Sequence, residues 1–153
     1  MKQINWNRLL LGGLVAGLII DVVQWLLNGV LLGSEWRDAM QALGKPLEEN
    51  PARSVFYILL GLVYGVLAVW FYASIRPRYG AGPVTALYAG AAVWLLGYCL
   101  PTLTWLPMGL FPAGLVSMAM LIGLVELVAA TEVGAWLYQE SLPGSAEAAR
   151  RAA

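Results

Sequence analysis

Four stretches of this chain are apolar over the length needed to cross a lipid bilayer, and that feature restricts the fold more than any other. They run approximately from Arg8 to Leu32, Arg53 to Ile75, Pro83 to Leu106 and Pro112 to Tyr138, and about 20 residues of helix suffice to cross roughly 30 Å of hydrocarbon. Inside that layer the backbone has no water to bond to, so each stretch must satisfy its own N–H and C=O groups as a helix. Composition agrees: 60% of the chain is hydrophobic and 12% charged, mean hydropathy is +0.71, and a soluble domain would carry about 25% charge. The expected fold is all-α, a four-transmembrane-helix bundle (1–140) with a short surface helix between helices 1 and 2, followed by a short cytoplasmic tail (141–153). The first stretch has Lys2 and Arg8 before it, as a signal peptide would. It is too long for one, contains Asp21 and Gln24 and lacks a small-x-small cleavage site, so it reads as an uncleaved helix.

Several functions are excluded by what is missing. Net charge is zero with no block of like charge, so neither a nucleic-acid footprint nor a polybasic lipid patch exists. With no histidine and one cysteine, Cys99, the chain cannot assemble the usual haem, zinc or four-thiolate sites, and no metal or other cofactor is expected. Cys99 lies in an apolar run and reads as core packing. Ser54 and Ser117 have no histidine base, and Gly12-Gly13 and Gly80-Ala81-Gly82 do not follow strands as phosphate loops do. The chain reads as not an enzyme.

The connections have their own signals. Gly33 ends the first apolar run, Ser34 is a good N-cap, and Glu35 to Leu43 reads as a surface helix closed by Gly44. Pro51 opens the second span, and Arg76-Pro77-Arg78-Tyr79-Gly80 reads as a tight turn after it. The link from Trp105 to Pro112 is broken by prolines and uncharged, which suits the interface or a partner. The face shared by both termini and the 76–80 turn holds Lys2, Arg8, Arg76, Arg78, Arg150 and Arg151 against Arg37, Lys45 and Arg53 opposite, which puts both termini in the cytoplasm. Aromatic belts follow, with Trp6, Trp70, Tyr72, Trp136 and Tyr138 inside and Trp36, Phe56, Tyr57, Trp105 and Phe111 outside.

Small residues show where helices can close on one another. Gly13 and Gly17, Gly61 and Gly65, and Ala86, Gly90 and Gly97 recur at helical spacing and would let backbones approach, within one chain or between copies. Helices 1 and 3 share the words Leu14-Val15-Ala16-Gly17 with Leu87-Tyr88-Ala89-Gly90, and Trp25-Leu26-Leu27 with Trp94-Leu95-Leu96, offset by a gap.

The groups that most need explaining are acidic. Asp21 on helix 1 and Glu126 on helix 4 fall at one depth, about 20 Å from the cytoplasmic boundary at about 1.5 Å per residue. Gly13, Gly17, Asp21, Gln24 and Asn28 step by four, four, three and four residues along one face, an internal polar stripe. Tyr64 and Trp94 lie near the same level as possible O–H and N–H donors. No basic residue occurs between Arg53 and Arg76 or between Arg78 and Arg150. An intramembrane Asp costs about 2.5–3.5 kcal/mol on insertion scales, and two carboxylates 4 Å apart would repel by about 4 kcal/mol at an effective dielectric near 20, so a close pair would hold a proton.

Two readings of this polar midplane compete. In one, Asp21, Gln24, Asn28, Tyr64 and Glu126 serve a proton or cation, with Glu132 two turns nearer the cytoplasm as an inner step. In the other they are interhelical glue, each bond worth about 0.6 kcal/mol. The leading expectation for function is an accessory or structural helix bundle, associating with itself or a larger membrane complex through its Gly-lined faces and apolar outer loop. A small transporter is the alternative, and a binder of lipid, quinone or pigment among Trp25, Tyr64, Trp94 and Tyr98 is the third.

Asn5-Trp6, the run Leu31-Leu32-Gly33-Ser34-Glu35-Trp36, then Ala39-Met40-Gln41-Ala42-Leu43-Gly44-Lys45, and Gly97-Tyr98-Cys99-Leu100-Pro101 resemble a family of small bacterial four-helix membrane proteins catalogued as a domain of unknown function. The resemblance follows residues 4 to 138 in order and hydropathy. It implies four spans in a bacterial cytoplasmic (inner) membrane, with lipid as the surroundings, and carries over no catalytic or binding residue. The uncharged 105–112 link departs from the family pattern, where that hairpin often carries charge.

Overall fold

The structure, a computed structural model, describes residues 4–48 and 50–138. It is all-helical, with five helices: α1 (Trp6–Leu31), α3 (Pro51–Tyr79), α4 (Pro83–Leu103) and α5 (Ala113–Leu137) are each long and apolar enough to cross a membrane, and α2 (Gly33–Ala42) is the short helix after the first. The spans are antiparallel to their neighbours. Around the bundle α1 packs on α3 and α5, and α4 packs on the same two, so α1 and α4 stand on opposite sides.

Glycine decides how closely the helices approach. A Cβ on Gly13 would lie 2.7 Å from the Val66 Cα, and one on Gly17 would lie 2.6 Å from the Leu62 Cα. Gly12 meets the Gly134 carbonyl of α5, and Gly90 meets Val128 and Thr131 there. The glycine faces are therefore spent inside the chain, where close backbones supply the dispersion contacts that hold helices together in lipid. At the end carrying the N-terminus the core is built of small residues around Leu9, Ala16, Val69, Ala86, Ala89 and Ala130.

The ends follow local chemistry. Asn50 caps α3, its Oδ1 accepting from the N–H groups of Ala52 at 3.0 Å and Arg53 at 3.4 Å. α2 closes in a Schellman motif, the Lys45 N–H reaching the Met40 carbonyl and the Gly44 N–H that of Gln41, with Gly44 at φ +71°.

Three expectations need correction here. α2 begins at Gly33, so Ser34 is inside it and not its cap, and the Ser34 hydroxyl bonds the Glu35 carboxylate at 2.9 Å instead. The Glu35 backbone N–H, and next that hydroxyl, hold its carboxyl below the usual range. α3 continues through Pro77 to Tyr79, because a proline this close to a C-terminus removes one bond without needing to end the helix; the turn is Gly80 to Gly82. Tyr72 and Tyr138 are not belt residues. They are buried edge to face, 6.2 Å between centroids, with the Arg76 guanidinium 6.0 and 5.6 Å from the two rings.

Two spans widen toward the far end, where α2 lies. Trp25–Leu31 of α1 and Leu95–Cys99 of α4 are π-helical, the N–H of Leu32 reaching back five residues to Leu27 and that of Leu100 to Leu95. The shared Trp-Leu-Leu words lie where each widening starts. In α4 the cause is visible: Pro101 cannot donate the bond that the Gly97 carbonyl would receive four residues on, and the Tyr64 hydroxyl of α3 donates to that carbonyl at 2.7 Å. Tyr64→Phe should therefore cost about 1 kcal/mol or somewhat more by stranding a partly buried acceptor. Adding Pro101→Ala, which restores an N–H, should recover most of it in thermal unfolding of the detergent-solubilised protein.

Candidate functional site: a carboxyl buried between the spans

Glu126 projects from α5 into the bundle and is only 4% exposed. Its Oε2 accepts from the Gln24 side-chain amide of α1 at 2.8 Å. The Gln24 carbonyl accepts in turn from the Asn28 amide, one turn along α1, and the Asn28 carbonyl accepts from the Trp36 indole N–H of α2 at 2.8 Å. A single line of donors thus runs from the surface helix to the carboxyl, each pointing toward Glu126. Trp36 is held in place by Phe111, whose ring centroid is 5.4 Å away, and Trp105 lies 5.8 Å from Phe111. The uncharged link between α4 and α5 therefore packs on the protein's own surface helix.

Asp21 lies one turn before Gln24. Its carboxyl fills the notch that Gly61 leaves in α3, where any Cβ would strike it, and it is close enough to act electrostatically on Glu126. Asp21 Oδ2 and Glu126 Oε1 are buried, and neither has a hydrogen-bond partner among the described residues. Two carboxyl oxygens left unpartnered in a low-dielectric interior need a positive counter-charge or a proton, since a buried unpaired charge costs several kcal/mol.

The polar stripe is real but turns: Gly13, Gly17 and Asp21 face α3, while Gln24 faces α5. Tyr98 of α4 lies over Gly123, 3.2 Å from where its Cβ would be, and within electrostatic reach of Glu126. Tyr64 and Trp94 do not donate to the carboxyls, because backbone carbonyls take both: Gly97 for the Tyr64 hydroxyl, and Met120, at 3.0 Å, for the Trp94 indole. Trp25 lies on the outside of α1, 66% exposed and against its own Gly29, away from Glu126. Glu132, two turns along α5, is partly exposed. Glu140 and the tail lie outside the described residues.

Sequence reasoning missed one participant, Trp36. Its place in the belt hid the role, although eight residues separate it from Asn28, within reach once a helix reverses. No group of three or more His, Cys, Asp or Glu that could hold a metal ion gathers among the described residues. No family model, no curated protein and no solved structure matches the chain.

Proposed function

We propose that this is a non-enzymatic, multi-pass protein of a bacterial cytoplasmic membrane, both termini in the cytoplasm, that acts as a small transporter by taking up and releasing a proton at Glu126 with Asp21 beside it. The observation that carries the reading is the Glu126 carboxyl, 4% exposed, with one oxygen held by Gln24 and the other without a partner. Structural glue would use both. The amides of Gln24 and Asn28 keep their hydrogens and serve to orient the carboxyl, so the proton arrives by way of Asp21. The excess of Lys and Arg on the terminal face supports the orientation, and the resemblance to bacterial four-helix proteins supports the membrane.

The test is proton flux into liposomes holding the purified chain, read with an entrapped pH dye under an imposed gradient. Wild type is expected to conduct, and Asp21→Asn and Glu126→Gln each to lose at least tenfold. Flux unaffected by both substitutions, or absent from wild type, would sink the reading.

One observation favours the accessory bundle as a second reading. Residues 51–60 of α3 are exposed on every side apart from Arg53, a length of apolar helix that another chain could cover. Foreign subunits retained after gentle extraction, with no flux from the isolated chain, would favour it.

A further inference from the structure

The amide line that ends at Glu126 begins on the surface helix, and the backbone bends to bring it there. Asn28 and Trp36 are eight residues apart, about 12 Å along a continuous helix, yet the Trp36 indole N–H reaches the Asn28 carbonyl at 2.8 Å. The wide turn at the end of α1 makes this possible. There the Leu32 N–H bonds the Leu27 carbonyl at 2.7 Å, and Leu32 leaves the helical region at φ −107°, ψ 13°. A small apolar cluster of Leu27, Leu32, Ala39 and Leu115, with Phe111 beside it, then seats α2 and its indole.

What the line meets is a carboxyl without a cation. Facing Glu126 are Asp21 and Gln24 from α1 and Tyr98 from α4. No charged residue lies on α3 between Arg53 and Arg76 or anywhere on α4, and the next charge on α5 is Glu132. On α2 itself, besides Asp38, Glu35 is engaged by Ser34 and Arg37 lies against Gly33. The Gln24 amide is thus the described group that bonds the carboxyl, and it favours the charged form only while it donates. Turned round, it would present a carbonyl, which an ionised carboxyl repels and a protonated one bonds.

We propose that Trp36 is a positioning residue for this proton site, its indole N–H holding Asn28, and through it Gln24, in the donating sense that lets the buried Glu126 carboxyl release its proton. The inference rests on the reading of Glu126 as a proton site and adds its control. A hydrogen bond to an ionised acceptor is roughly twice as strong as one to a neutral acceptor, and donors in a row polarise one another. The indole therefore contributes most when Glu126 is charged. The coupling is reciprocal: whatever draws α2 away from Asn28 makes Glu126 hold its proton more tightly.

The test is an infrared pH titration of the full chain reconstituted in lipid, following the carboxylic C=O band that Glu126→Gln abolishes. Trp36→Phe keeps a ring against Phe111 and removes the donor. Its midpoint is expected about 0.5–1 pH unit above that of wild type, whereas a ring that only packs would leave the midpoint in place. Asn28→Leu breaks the line one step later and should give a similar displacement. Trp36→Phe added to Asn28→Leu should then move the midpoint no further. If Trp36→Phe fails to fold, Asn28→Leu decides alone. An unmoved or lowered midpoint, or displacements that add in the double variant, would overturn the role of Trp36 and leave the proton site standing. A wild-type chain with no titrating band that depends on Glu126 overturns the proton site, and this inference with it.

Discussion

Glu126→Leu should abolish proton flux and yet leave the bundle within about 1 kcal/mol of wild-type stability. Two terms of similar size oppose each other. Removing the carboxyl relieves the cost of an acidic group in the bilayer, about 2.5–3.5 kcal/mol on insertion scales. It also strands the Gln24 amide, which loses its only described acceptor, at about 1–3 kcal/mol. Leucine is of similar bulk, so no large cavity opens. Glu126→Leu with Gln24→Leu removes the stranded amide as well and should unfold at or above the wild-type temperature. Thermal unfolding in detergent beside liposome flux separates the two roles. A loss of several kcal/mol with flux retained would make the Gln24–Glu126 bond a brace and nothing more.

A leucine at Gly65 should have the opposite signature, loss of fold and of flux together. The Cβ it adds would meet the backbone N–H and Cα of Gly17 and the carbonyl of Gly13. These atoms belong to α1 itself, so no side chain can swing aside. α1 must separate from α3, which dissolves the notch that receives Asp21. Overpacking in ordinary cores costs about 1–3 kcal/mol and sometimes more; with backbone on both sides the expected loss is at least about 3 kcal/mol. Gly114→Ala, where a Cβ would meet nothing within 4 Å, should instead be neutral or slightly stabilising, since alanine is the better helix former by up to about 1 kcal/mol. Equal effects at the two positions would mean that α1 and α3 are not held by this seam.

The four spans and α2 were legible because hydropathy sums over many residues, and an error at one position does not move the total. That Gly13, Gly17, Gly61 and Gly65 let helices close was legible as spacing, although not that these glycines meet one another, and a similar level for Asp21 and Glu126 as arithmetic on helical rise. What failed did so where the outcome depends on a neighbour's direction. Tyr72 and Tyr138 sit at the right height for a belt, but height does not say which way a ring points, and each found the other. Tyr64 was a correct donor with the wrong recipient, because the need at Gly97 arises from Pro101, four residues away on another helix. Ser34 loses the cap to a helix that starts earlier, drawn back by the wide turn at Leu32. The exposure of α3 over residues 51–60 has no sequence signal at all, since a lipid-facing stretch and an unpacked one have the same composition.

The line from Trp36 to Glu126 also fixes an orientation that its amides could not fix for themselves. An indole has a donor and no acceptor, so Asn28 must turn its carbonyl to Trp36 and its NH₂ to Gln24, and Gln24 must then offer NH₂ to Glu126. Oε2 can only accept. A hydrogen carried by this carboxyl is thereby confined to Oε1, the oxygen left open. With phenylalanine at 36 both amides could invert together and the hydrogen could sit on either oxygen, so a ring on the surface helix determines the handedness of an acid buried at the centre of the bundle.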